Sequence, residues 1–335
     1  MLRIAVLGCG RIGRMHADNI AAHPQAALAG VFDVHEPAAD EVAERLSVRK
    51  FPSVAAVFAF SEVDAVLIAT STPTHADLVE QAVAAGKPVL CEKPIDLSFA
   101  RVEACAQKIA GAVTPIMLGF VRRFDPGHRA VRDAVRAGAI GDLHQVVITS
   151  RDPGMAPKAY IEASGGIFRD MTIHDFDMAR FILGEEPTEV TAVGSRLVDP
   201  ELMARCEDWD TVSVVLKAPS GQQCIINNSR RAVYGYDQRV EAFGSAGMAI
   251  SENRRPHMMT IHGATATGGG APLLNFFIDR YAEAFIAEIG AFVDAIEKGT
   301  PPEVGFEDGR RALLLAEAAI RSVAEGRTVR TSEIR

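Results

Sequence analysis

The sequence predicts an α/β chain in two domains. Residues 1–122 are expected to form a doubly wound parallel sheet, and residues 123–335 an α+β domain on a mainly antiparallel open sheet. Two observations carry this. Short apolar runs at 4–7, 28–32, 65–69, 89–91 and 116–120 alternate with helical patterns, as strands buried on both faces do. After about residue 140 the rhythm changes to period two. Val212, Val214 and Leu216 share one face there, Thr211, Ser213 and Lys217 the other, and a Pro-Ser-Gly turn leads into a second strand.

The remaining elements follow in order. Residues 238–250 have a hairpin pattern, and the glycine-rich stretch 264–272 is expected to be a flexible loop. Two amphipathic helices, about 276–298 and 307–324, close the chain. A helix at 165–180, with Phe168, Met171, Phe176 and Ala179 on its apolar stripe, opens the second domain and is expected to pack on one face of the sheet.

Composition narrows the function. Hydrophobic residues make up 48% and charged residues 23%, ordinary for a globular protein. The net charge of -8, with arginine pairs but no basic block, argues against nucleic acid. No stretch approaches the roughly 20 apolar residues of a membrane span. Five cysteines without CxxC spacing, and a start that runs directly into a strand, point to a soluble cytoplasmic protein with reduced thiols.

The first strand leads into Gly8, Gly10 and Gly13 in GxGxxG register, and a helix pattern follows. Such a Rossmann loop needs a tight turn, close backbone approach to a pyrophosphate, and close helix–strand packing, with the diphosphate at the helix N-terminus. Asp33, 20 residues beyond Gly13 at the end of the second strand, is placed to accept from the adenosine ribose hydroxyls. A 2'-phosphate would meet its charge there, so NAD is expected over NADP. The other reading of Asp33, a turn cap, stays open. Arg11 and Ile12 in the loop, and Thr70, Thr72, His75, Glu92 and Lys93 after two further core strands, complete the cofactor-facing candidates. Lys93 ends a buried strand just before Pro94, which should direct it into the cofactor crevice.

The 165–180 helix poses a separate question, because Asp170, His174 and Asp177 share one face of it by spacing. Such a pair is more often a surface ion pair than a catalytic one. At this point the residues resemble the glucose–fructose oxidoreductase/inositol dehydrogenase superfamily: GCGRIG at the start, EKP at 92–94, and the helix carrying Asp170 and His174. The stretches GFVRRFDP (119–126), SRDP (150–153), SGGIFRDMTIHDFDMARF (164–181), NNSRRAVYGYDQRVE (227–241) and NFFIDRYAEAF (275–285) resemble bacterial inositol 2-dehydrogenases, so the likeness spans nearly the whole chain.

By position, that resemblance makes Lys93, Asp170 and His174 the catalytic lysine, aspartate and histidine, with the polar helix face lining the crevice between domains. Histidine suits the removal of a hydroxyl proton near neutral pH. Asp170 would hold the imidazole, and Lys93 would donate to the substrate oxygen. The resemblance implies NAD-dependent oxidation of a cyclic polyol, myo-inositol, to its 2-keto ring, commonly by a homotetramer. Another inositol isomer or an aldose is the alternative substrate, and a non-catalytic NAD-binding sensor the alternative class. His174, Asp175 and Asp177 point different ways on a helix and the family needs no metal, so none is expected. Lys93, Arg123, Asp152, Asp170, His174, Asp177 and Tyr236 are the substrate-binding candidates, drawn from a wider set with Asp125, Arg151, Tyr160, Tyr234, Asp237 and Gln238. Val121 and Glu162 depart from the family pattern, which bears on the stereoisomer rather than on the reaction.

Overall fold

The computed structural model describes residues 1–334. Its chain divides into two compact units, Met1–Phe124 with Glu283–Leu313, and Asp125–Ala282 with Leu314–Arg335. In the first, the apolar runs become strands joined by helices: β1 (Leu2–Leu7), α1 (Arg11–Ala22), β2 (Ala26–Phe32), α2 (Glu36–Leu46), α3 (Val54–Ala59), β3 (Ala65–Ile68), α4 (His75–Ala84), β4 (Val89–Cys91), α5 (Phe99–Lys108) and β5 (Ile116–Leu118). The strands lie in the order β2-β1-β3-β4-β5, every pair parallel. All residues of β3 and β4 are buried, which is why their sequences are apolar without alternation. The chain runs outward from β1 to β2, then crosses back to place β3 on the other side of β1. That reversal opens a crevice at the carboxyl ends of β1 and β3, where doubly wound sheets bind ligands.

The rest of the chain forms α6 (Pro126–Arg136), β6 (Leu143–Arg151), α7 (Lys158–Ala163), α8 (Ile167–Asp170), α9 (Thr172–Leu183), β7 (Glu189–Ser195), α10 (Pro200–Arg205), β8 (Thr211–Lys217), β9 (Gln223–Ser229), β10 (Asp237–Gly244), β11 (Gly247–Ser251), β12 (Thr260–His262), β13 (Thr267–Gly270), α11 (Phe277–Arg280), α12 (Ala282–Lys298), α13 (Phe306–Glu325) and β14 (Val329–Arg330). Seven strands pair in the order β11-β10-β6-β9-β8-β7-β14, antiparallel except at β6–β9. Val212, Val214 and Leu216 of β8 are buried as their period-two spacing predicts, each stabilising the sheet by roughly 1.5–3 kcal/mol. Helices α6 and α9 pack on this sheet. Ile250, Val215 and Val193, with Phe243 and Met248, leave an apolar set of residues exposed on it.

Four expectations need correction. The domain boundary at 122/123 moves, because 283–313 belongs to the first unit. α12 buries Phe285, Ile289, Phe292 and Val293. The segment after it donates no strand but covers the β5 edge: Leu118 N donates to Val304 O, and Met117 bridges Gly305. The helix at 165–180 is broken at Met171, where Thr172 Oγ1 donates to Asn228 Oδ1 at 2.6 Å and a new helix starts. The glycine-rich loop carries β13, paired with β12. The first closing helix is interrupted at Tyr281, leaving α11 as a single turn.

A buried ion pair fixes that turn. Asp125 caps α6, its Oδ1 accepting from Gly127 N and His128 N at 3.0 Å each, while Oδ2 accepts from Arg280 Nη1 at 2.5 Å. Both side chains are 1% exposed. Burial by itself would raise the Asp125 acid; His128, Arg280 and the cap N–H groups outweigh it and hold the acid below its ordinary value.

Candidate active site

The glycine loop has the geometry its spacing demands. Gly8 sits at φ +97°, and a Cβ there would lie 2.4 Å from Ala69 O. A Cβ on Gly13 would lie 1.9 Å from Gly8 O, so only glycine lets α1 pack this close to β1. At Gly10 nothing lies within 4 Å of the Cβ position. Space there and an α1 N-terminus with no side-chain cap or first-turn acid form a cradle for a diphosphate, flanked by exposed Arg11 and half-buried Ile12.

Asp33 is locked beside this cradle. Its Oδ2 accepts from Cys9 N at 2.6 Å and its Oδ1 from His35 N at 2.8 Å. The turn-cap reading is therefore partly true, since the same carboxylate ties the loop to the end of β2. Burial, then Asp33, pushes the neighbouring Cys9 thiol up to about 12, so it remains neutral.

His75 faces two carbonyls, Pro94 O at 2.8 Å from Nδ1 and Thr70 O at 3.0 Å from Nε2. At 2% exposure it staples the loops after β3 and β4 rather than presenting its ring to a ligand. Thr70 Oγ1 pairs with Thr74 Oγ1 at 2.7 Å, and Thr72 begins the turn between them. Lys93 lies two residues beyond the end of β4, just before Pro94.

Glu92 turns inward to His16 Nε2, 2.7 Å away. With Glu288 these form the one set of three potential metal donors among the described residues, their donor atoms within 4.8 Å of one another. Glu288 is fully buried, and burial, then Glu92, raises its acid well above the ordinary value. That burial favours the protonated form of Glu288 when no cation is bound.

The second unit holds Asp170 and His174 on separate helices. Asp170 ends α8; His174 lies in the first turn of α9, its N–H donating to Met171 O at 3.3 Å. Asp175 is buried and anchors α9 to the sheet, accepting from Ser150 Oγ at 2.6 Å and Asn228 Nδ2 at 2.7 Å. Tyr160 OH donates to Asp170 Oδ1 at 2.7 Å and Arg230 Nη1 to Oδ2 at 3.3 Å. The partners Arg230 and Asp208 were missed from sequence, because an Arg pair at 230–231 carries no sign of which member turns inward.

Several polyol candidates have other engagements. Asp177 is 1% exposed and pairs with Arg180 at 3.4 Å. The break at Met171 removes the continuous face it was to share with Asp170. Arg123 is 5% exposed and pairs with Asp308 at 2.8 Å. Tyr236 is buried edge-on to Tyr281. Asp125 and Gln238 are also buried, the first in the Arg280 pair, the second with Oε1 accepting from Tyr281 OH at 3.4 Å. Asp152 is half-buried, its carbonyl accepting from Ala232 N at 2.6 Å. Arg151, Tyr234 and Asp237 form one chain: Arg151 Nη1 donates to Tyr234 OH at 2.7 Å, which donates to Asp237 Oδ2 at 2.6 Å. Tyr234 and Asp237 line an open cleft of about 740 Å³ with Arg239, Glu252, Asn253 and Arg255.

A nucleotide cradle on a parallel sheet, followed by an α+β unit presenting an ordered carboxylate and an imidazole, defines a nicotinamide-dependent oxidoreductase. Residues 2–120 match the oxidoreductase family model with an NAD-binding Rossmann fold, and residues 128–250 match the GFO/IDH/MocA C-terminal domain. The chain belongs to the GFO/IDH/MocA family. It is 49% identical to an inositol 2-dehydrogenase of Rhizobium meliloti, covering 98% of both chains. It is 44% identical to a myo-inositol 2-dehydrogenase of Thermotoga maritima, covering 99% of both. The crystal structure of a myo-inositol dehydrogenase from Corynebacterium glutamicum superposes with a TM-score of 0.95 at 46% identity, covering 98% of each chain.

Proposed function

We propose that this protein is an NAD-dependent inositol 2-dehydrogenase, oxidising myo-inositol to its 2-keto ring. The observation that carries the reading is similarity over 98–99% of the chain to two inositol 2-dehydrogenases, with Lys93, Asp170 and His174 all present. Bound NAD supplies the hydride acceptor. Gly10 and the α1 N-terminus hold its diphosphate, and Asp33 accepts from its ribose hydroxyls. His174 takes the proton of the ring hydroxyl. Asp170 orients the imidazole and balances the charge it gains. Lys93 donates to the substrate oxygen as it becomes a carbonyl, stabilising the negative charge that develops on the way.

The test is NADH formation from NAD with myo-, scyllo- and chiro-inositol and glucose in parallel, repeated with NADP. Turnover on myo-inositol with NAD is expected to exceed every other combination. Turnover confined to another polyol would overturn the substrate assignment, and preference for NADP would overturn the role of Asp33.

A second copy is the natural cover for the exposed apolar residues of the seven-stranded sheet, since patches of this kind mark association. We assign a homotetramer in the cytoplasm. None of the five cysteines is in a disulfide, and among the described residues no helix is long and apolar enough to cross a membrane. Light scattering on the purified chain should give the tetramer mass; a monomer at working concentration contradicts it.

A further inference from the structure

The Asp170 carboxylate is met on both oxygens by groups that are themselves held. Arg230 is 1% exposed, and while Nη1 reaches Asp170, Nη2 donates to Asp208 Oδ2 at 3.1 Å. Asp208 is 4% exposed and fixed in turn, its Oδ1 accepting from Ile167 N at 2.9 Å at the start of α8. The arginine backbone is tied down as well, Arg230 N donating to Asp210 O at 2.8 Å. Asp210 accepts from Leu197 N and Val198 N at 2.8 Å each and from Asp199 N at 3.1 Å. No link in this chain depends on an exposed, freely rotating group except Tyr160, whose ring is half exposed but whose hydroxyl end is bound.

We propose that Arg230 is the positioning residue of this active site: bridged between Asp208 and Asp170, it holds the Asp170 carboxylate in one orientation opposite a fixed positive charge, with Tyr160 pinning the second oxygen. The proposal rests on the catalytic reading of Asp170 given above.

The charge arithmetic explains why one arginine matters so much. Two carboxylates share one guanidinium. Burial would lower the guanidinium pKa, but Asp170 and Asp208 outweigh it and raise it, so the cation persists at any working pH. Tyr160 is held as a donor in the same way: desolvation of its bound hydroxyl end, then the Asp170 charge, raises its phenol pKa, with Asp152 adding to the effect and Arg230 opposing it. A carboxylate offers about four lone-pair sites. Tyr160 and Arg230 use one on each oxygen, leaving Asp170 able to accept from an imidazole.

Within this unit Arg230 and Tyr160 meet Asp170, Asp208 shares the guanidinium, Asp152 acts on Tyr160, and His174 lies four residues on. Without Arg230, the Asp170 charge stands unopposed beside the imidazole it orients and favours the protonated imidazole, which cannot act as the base, so the acidic limb set by that imidazole moves up.

The experiment measures kcat and kcat/KM from pH 5 to 9 on purified Arg230→Gln, Arg230→Lys, Asp208→Asn and Asp170→Asn, with thermal melts and circular dichroism as the check of folding. Arg230→Gln should lower kcat about tenfold or more at pH 7 and move the acidic limb of the profile up by about one pH unit, tenfold per unit. Asp208→Asn releases the guanidinium to Asp170 alone and should move that limb down. Arg230→Lys should restore the limb without restoring kcat, because an ammonium cannot bridge two carboxylates as a fork does.

If Arg230→Gln does not fold, the opposite shift in Asp208→Asn decides by itself. An unmoved limb in the folded variants, with Asp170→Asn inactive, overturns the positioning role and leaves the catalytic reading standing. Full turnover of Asp170→Asn overturns the catalytic reading and this proposal with it.

Discussion

His174→Ala is expected to lose about 10²–10⁴ of turnover on myo-inositol, the usual worth of a positioned general base. NAD affinity should be retained, because the glycine loop and Asp33 belong to a unit that does not contain His174. The loss should fall on kcat rather than KM, since a base acts in the transition state and contributes little to ground-state binding. The structure makes the variant a clean one. α9 is anchored to the sheet through Asn228, which accepts from Thr172 and donates to Asp175. Steady-state kinetics beside an NAD titration checks this, and a variant that turns over like the wild type removes His174 as the base.

The largest expected effect on stability lies elsewhere. Asp125→Ala removes a cap from α6 and leaves the buried Arg280 guanidinium without its partner. Breaking one side of a buried pair costs about 3–5 kcal/mol, which at about 2–4 °C per kcal/mol corresponds to a Tm loss of roughly 6–20 °C.

Asp125→Asn keeps the cap acceptor and isolates the charge. In the folded state the acid lies below its ordinary value of 3.8, so its stabilisation is fully present above that value and is lost as pH falls through the depressed one. The Tm gap between wild type and Asp125→Asn should therefore be constant above about pH 5 and narrow below 3.8. Thermal melts across pH test both statements. A loss of under about 2 °C for Asp125→Ala would mean that the interior relaxes to hydrate Arg280.

Much of the cofactor end was legible because its demands are local. A glycine whose Cβ would strike Ala69 O or Gly8 O must be a glycine, and an acid at the end of β2 has one loop beside it. The second domain was legible as a sheet because Val212, Val214 and Leu216 obey a strict period.

What spacing could not show was decided by partners distant in sequence. Asp170 and Asp177 fit one helical face on paper, yet the helix breaks at Met171 between them, and Asp177 pairs with Arg180. Arg123 pairs with Asp308, 185 residues away, a partner that no spacing announces. The return of 283–313 to the first unit had no local signature, because an amphipathic helix does not state which sheet it covers. Arg230 was hidden for the same reason: its role depends on Asp208 and Asp170, 22 and 60 residues away.

The central claim is that a hydride leaves C2 of myo-inositol for the nicotinamide. It is tested most directly with myo-inositol deuterated at C2, turned over by the purified protein with NAD, and the NADH examined by proton NMR. Deuterium should be found at nicotinamide C4, on a single face, with none released to solvent. NADH formed without the label, or label lost to water, would contradict the account.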